Sequence, residues 1–172
     1  RATALFLCYP NNPTGALATS AFYAELAMWA REYDVAICQD GAYGEMVFDP
    51  ADRISFLQAP GAMEVGVELG SLSKSYNMTG WRLGMVMGNG DLIAGISKVK
   101  ENTDSGVFAA IQYAGIRALK YEKGNIDRML RIYRKRQQMV VDTFHSLGWS
   151  FTPPNGTFYL WDVQKQEQAA DF

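Results

Sequence analysis

The sequence predicts an α/β fold, a mostly parallel sheet flanked by helices, and three observations carry that prediction. Ala4 to Tyr9 is apolar on both faces, the pattern of a strand within a largely parallel sheet. A turn-rich loop, an amphipathic helical stretch and a second apolar strand follow in that order, the unit that makes right-handed parallel crossovers. Later an alternating run, Val65, Val67 and Leu69, enters a polar stretch rich in glycine before another apolar run.

Each element has a local reason. Pro10 stops the first strand, and Asn11-Asn12-Pro13-Thr14-Gly15 cannot continue a ladder. Thr19 or Ser20 caps a helix over residues 20–32, whose expected apolar face is Phe22, Leu26, Trp29 and Ala30. Val35 to Gln39 is the next strand, and Asp40 stands just past its carboxyl end, followed by Gly41-Ala42-Tyr43. Ligands of open α/β sheets lie at the carboxyl ends of strands, so Asp40 is placed either for chemistry or as a turn cap. Residues 45–60, with Asp49-Pro50 and Ala59-Pro60, read as a loop. Leu83 to Met87 reads as a strand, and residues 91–101, 106–120 and 124–147 as helices, the last ended by Gly148. Trp149 to Thr152 and Thr157 to Val163, joined by Pro153-Pro154-Asn155-Gly156, are expected to pair as strands before the chain turns polar at Gln164.

Composition narrows the function classes. Of 172 residues, 48% are apolar and 20% charged, which sets aside disordered, collagen-like and disulfide-scaffold classes. A net charge of -2 gives no case for nucleic acid or an anionic membrane as partner. The basic residues Arg128, Arg131, Arg134, Lys135 and Arg136 fall on one helical stretch and read as its solvated face. Two cysteines, Cys8 and Cys38, lie in strand-like runs, and a single histidine leaves almost no material for a zinc site. The expected compartment is the reducing cytoplasm. Glycines 84, 88 and 90 are too irregularly spaced for a dinucleotide fingerprint. The chain opens on Arg1 rather than methionine and reads as a strand entered midway, so it is expected to be a piece of a longer protein.

The most informative stretch runs from Ser71 to Gly84, Ser-Leu-Ser-Lys-Ser-Tyr-Asn-Met-Thr-Gly-Trp-Arg-Leu-Gly. Ser71, Ser73 and Arg82 offer two hydroxyl donors and a planar guanidinium, a set suited to a phosphate dianion. Lys74 lies between them. An amine near other cations loses proton affinity and becomes a competent nucleophile toward a carbonyl. Together they suggest a phosphate-bearing aldehyde cofactor held as a Schiff base, although Lys74 taken alone is an ordinary turn lysine.

This run resembles the lysine signature of the class I/II aminotransferases, fold type I enzymes of the aspartate aminotransferase superfamily that use pyridoxal 5'-phosphate. Three further stretches match in the family's order: Asn12-Pro13-Thr14-Gly15, Asp40 to Tyr43, and the stretch around Gly156-Thr157-Phe158. The resemblance implies that Lys74 carries the cofactor aldehyde, that Asp40 pairs with the pyridine nitrogen, and that Tyr43 and Asn12 donate to the phenolic oxygen. It implies that Ser71, Ser73 and Arg82 hold the phosphate and that Phe158 lies near the substrate. It assigns residues 1–125 to part of the cofactor-binding large domain, and 126–172 to a linking helix and the opening of a small α+β domain.

The reaction the resemblance implies is amino-group transfer between an amino acid and a 2-oxo acid, in a homodimer. A carbon-sulfur lyase of the same fold, or a non-catalytic remnant or cofactor-binding regulatory domain, stays open at this point. In this family a glycine-rich phosphate loop, an aromatic stacked on the ring and a carboxylate-binding arginine lie in segments that match nothing here. The isolated chain is therefore expected to be inactive and to pair with copies of itself.

Overall fold

The structure is a computed structural model that describes residues 2–121, 123–149 and 152–162. Four strands form one sheet in the order β1 (Ala4–Cys8), β2 (Ala36–Asp40), β3 (Gly66–Ser71) and β4 (Gly84–Gly88). The first three are parallel, and β4 runs antiparallel to β3. The expected α/β class and largely parallel sheet are both present. The double-sided apolarity of β1 does not bury it, however, because β1 is an edge strand of this sheet and Phe6 is 76% exposed.

Helix α1 (Ser20–Tyr33) begins where Thr19 accepts a hydrogen bond from the Phe22 amide at 3.1 Å. It ends at Asp34, a residue in the left-handed region at φ 53°. Its buried face is Tyr23, Leu26, Ala27 and Ala30, about one residue round from the face expected, since Phe22 and Trp29 are exposed. The partner decides the rotation: Tyr23 meets Phe56 edge-on at 5.6 Å, and that pair joins Ile37 in the core between α1 and the sheet. Burying side chains of this size stabilises the fold by about 1.5–3 kcal/mol each.

Residues 45–60 contain two single 3-10 turns, Pro50–Asp52 and Phe56–Gln58, each opened by a capping side chain, Asp49 and Ser55. A short α2 (Ala62–Val65) leads into β3, and the lysine turn is itself one helical turn, α3 (Leu72–Ser75). After a 3-10 turn (Thr79–Trp81) and β4 come α4 (Gly90–Glu101), α5 (Ala109–Tyr121) and α6 (Lys123–Ser146). Gly148 at φ 86° follows α6, and its amide donates to the His145 carbonyl at 3.0 Å.

Two further cores place the lysine turn. Helix α5 lies so close to it that a Cβ at Gly115 would stand 2.3 Å from Leu83 Cδ2, while Leu72, Met78 and Ala118 bury each other. Helix α6 puts Ile126, Met129 and Leu130 against Tyr43 and Met46. The expected strand pair after α6 is corrected. Residues 152–162 form no strand; among the described residues their ladder pairing is limited to an isolated bridge between Gly156 and Val47. Thr157, which opens the second expected strand, takes φ 64°, outside the extended region that a ladder requires. Residues 150–151 and the polar end from Gln164 lie outside the described residues. Among the described residues no helix is long and apolar enough to cross a membrane.

Candidate active site

One edge of the sheet collects every residue singled out above except Phe158, and strand direction is the reason. The parallel strands β1, β2 and β3 finish together, with Cys8 opposite Asp40 and Asp40 opposite Leu69. The loop bearing Asn12, Asp40 with its turn, and Ser71 to Lys74 all leave the sheet there. Because β4 is antiparallel, its first residue pairs with the last of β3, Gly84 with Ser71, so Arg82 arrives at the same edge.

The Asn12 loop is built by its neighbours. Asn11 Oδ1 accepts from the Thr14 amide at 3.2 Å and the Thr14 hydroxyl at 2.8 Å, while Asn11 Nδ2 donates to the Cys8 carbonyl at 3.3 Å. Buried Gln39 on β2 donates to the Tyr9 carbonyl at 2.6 Å and pins the loop's entry. Of two consecutive asparagines, one therefore shapes the backbone and the other is released: Asn12 Nδ2 donates to the Tyr43 hydroxyl at 3.4 Å.

Tyr43 is the hub. Its side chain is 5% exposed, Lys74 Nζ stands 5.8 Å from its ring centroid, and its hydroxyl lies 2.7 Å from that of Tyr159. Burial, followed by the hydrogen bond with Tyr159, pushes the Tyr43 phenol well above its ordinary value, so it remains protonated and a donor across the neutral range. Phe158 meets the same ring edge-on at 5.7 Å and stacks on Tyr133 at 5.5 Å. Phe158 thus reaches the site from the segment after α6. Tyr159 is the residue that sequence reasoning missed. Its signal was a polar-tipped aromatic directly after Phe158, which pattern alone cannot aim.

The other predicted residues stand as follows. Asp40 is exposed, and its Oδ1 accepts from the Ala42 amide at 3.0 Å, so it does cap its turn. Its Oδ2 makes no hydrogen bond among the described residues. Ser71 Oγ accepts from the Ser73 amide at 3.2 Å as the cap of α3, which leaves its hydroxyl proton to donate elsewhere. Ser73 is buried, and its carbonyl accepts from the Thr79 hydroxyl at 2.9 Å. Arg82, at φ 56°, donates through Nη1 to the Thr79 carbonyl at 3.0 Å and is otherwise exposed. One backbone-threaded unit thus joins the two serines and the arginine.

The family model for aminotransferase class I and II matches residues 1–172. The chain belongs to this family. Among its relatives, LL-diaminopimelate aminotransferase of Moorella thermoacetica is 49% identical over 94% of this chain and 41% of its own length. The enzyme of the same name from Syntrophobacter fumaroxidans is 50% identical over 94% of this chain and 42% of its own. The aminotransferase-family chain thus spans about two fifths of the length of these curated relatives. Among solved structures, substrate-bound BacF from Bacillus subtilis superposes with a TM-score of 0.90 at 37% identity, covering 98% of this chain and 44% of that one. An aspartate aminotransferase from Thermotoga maritima gives 0.80 at 28% identity, covering 90% of this chain and 40% of that one. The fold expected of a class I/II aminotransferase is therefore the fold present.

Proposed function

We propose that the intact protein is a pyridoxal 5'-phosphate-dependent aminotransferase that moves an amino group between an amino acid and a 2-oxo acid. The observation that supports it most is the meeting of the Asn12 amide, the Tyr43 hydroxyl and the Lys74 amine at the carboxyl edge of parallel strands. The donor set fits the cofactor part by part. Asn12 and Tyr43 supply two N–H and O–H donors to a phenolic oxygen, Asp40 Oδ2 an acceptor for a protonated pyridine nitrogen, and Ser71, Ser73 and Arg82 donors for a phosphate.

When bound, the cofactor would supply an electron-withdrawing ring able to take up the electron pair left at the substrate's α carbon as its proton departs. The chain's own residues bind, orient and move the proton. Lys74 would hold the aldehyde, and its free amine would serve as the base that takes the α proton at Nζ and returns one. The Asp40 carboxylate keeps the ring nitrogen protonated. The serines and Arg82 stop the ring from drifting away from Lys74. In this reading residues 1–125 belong to the large domain and 126–172 to the linking helix and the start of the small one. The intact enzyme is a cytoplasmic homodimer.

The relatives' names make LL-diaminopimelate the amino donor to test first. Incubating the intact protein with this donor and 2-oxoglutarate should yield glutamate, and Lys74→Ala should abolish it. Pyruvate and ammonia released from cystathionine, with no glutamate formed from any donor, would replace this reading with the carbon-sulfur lyase.

A further inference from the structure

We infer that Tyr159 is a positioning residue of the site: its hydroxyl donates to the Tyr43 oxygen and thereby directs the Tyr43 proton toward the cofactor's phenolic oxygen. The inference rests on the function proposed above and extends it to the segment after α6.

The Tyr43 hydroxyl has one proton and two lone pairs. Asn12 Nδ2 donates to it at 3.4 Å and so occupies one lone pair. The Tyr159 hydroxyl, 2.7 Å away, takes either the proton or the second lone pair. If Tyr43 spends its proton on Tyr159, it has none to give the cofactor. Donation by Tyr159 is the arrangement in which all three groups point the same way, and each hydrogen bond in such a chain strengthens the next.

The backbone around Tyr159 is built to deliver that contact. The Thr157 amide donates to the Met46 carbonyl at 2.6 Å, and the Phe48 amide donates to the Asn155 carbonyl at 3.0 Å, which clamps 155–157 to the turn that follows Tyr43. Thr157, fully buried and at φ 64°, receives the Tyr159 amide on its hydroxyl at 3.2 Å. On the opposite side Gly15 lets the Asn12 loop approach Pro154, where a Cβ would meet another Cβ at 2.5 Å. Segments separated by 31 and 116 positions are thus locked to bring three polar atoms within hydrogen-bond reach. Among the described residues, the titratable groups around Tyr43 include Tyr159 at its hydroxyl, Lys74 from α3 over its ring, Cys8 at the end of β1, and Tyr76 and Tyr133 in the same packed cluster.

Weakening donation to the phenolic oxygen of a bound cofactor would leave more negative charge on it, so the proton on Lys74 Nζ would be held to higher pH. The experiment is a visible-absorbance pH titration of the intact, cofactor-loaded enzyme. In Tyr159→Phe the midpoint should rise by about 0.2–0.6 pH unit. Tyr43→Phe should raise it further, and the double variant should match Tyr43→Phe alone. Placing 3-fluorotyrosine at position 159 retains the ring with a stronger donor, and should lower the midpoint. Tyr133→Phe, a control in the same aromatic cluster, should leave it unchanged. A shift in Tyr43→Phe but none in Tyr159→Phe or with 3-fluorotyrosine overturns this inference alone, as does a Tyr159→Phe shift that persists when Tyr43 is phenylalanine. No shift in Tyr43→Phe itself overturns the reading of the site on which the inference rests.

Discussion

The two halves of the candidate site are made in opposite ways. The phosphate half is local: Ser73 to Ser71, Thr79 to Ser73 and Arg82 to Thr79 are hydrogen bonds across 2, 6 and 3 positions. The Tyr43 half is assembled from far apart, by bonds across 31 and 116 positions. The first is hydrogen-bonded within its own turn, since closing a short loop costs little entropy, although α5 and the pairing of β3 with β4 hold that turn in place. The second exists only when β1, β2 and the segment after α6 are all in place. An anchor can therefore be written into one short motif, whereas the group that tunes proton affinity depends on the integrity of the fold.

Substitutions can break that contrast at either half. The largest effect belongs to Lys74, which stands between the two: Lys74→Ala in the intact enzyme should lower glutamate formation roughly 10⁴-fold. Borohydride reduction of the loaded enzyme followed by peptide mapping should place the label on Lys74, and a label on Lys98, Lys100 or Lys120 would refute the assignment. Asp40→Asn should slow turnover about 10²–10³-fold while the thermal midpoint hardly moves. The fold is spared because Asp40 is exposed and an asparagine oxygen can still accept from the Ala42 amide.

Smaller effects separate the halves directly. Gly15→Ala places a Cβ against Pro154 at φ +70°, and should destabilise the protein by about 1–3 kcal/mol in a thermal melt. It should also disturb the cofactor's spectral pH titration, because the Asn12 and Tyr159 segments meet at that contact. Ser71→Ala removes the cap of the lysine turn, for about 1 kcal/mol, and a phosphate donor. Cofactor affinity should fall, measured by quenching of protein fluorescence, while the spectral midpoint stays where it was. A midpoint that moves with Ser71→Ala would show that the halves are not independent.

Much of this was legible in the chain itself. The strands, the crossover helix and the three long helices follow from turn residues, capping residues and apolar period, which leave a trace within a few positions. The seven candidate site residues, in contrast, were legible mainly through the resemblance of the motifs that carry them, and the strand order came from the structure. Where the reading failed, a distant partner had decided. The buried face of α1 turned from Phe22 and Trp29 to Tyr23 and Ala27 because Phe56 supplied the surface. The strand expected at Thr157 gave way to one bridge with Val47.

Tyr159 shows the boundary most clearly. Residue type alone says that a phenol at this position is amphipathic and suited to a buried contact with one polar tip. That the tip meets Tyr43, at 2.7 Å, depends on a left-handed Thr157, a close approach at Gly15 and a helix of 24 residues that carries the segment back to the sheet. Sequence alone determines the chemical inventory and the local conformations, because propensity and period act over one or two turns. The tertiary structure alone decides which hydroxyl faces which, because that choice is made by packing between segments that have no means of sensing each other until the chain has folded.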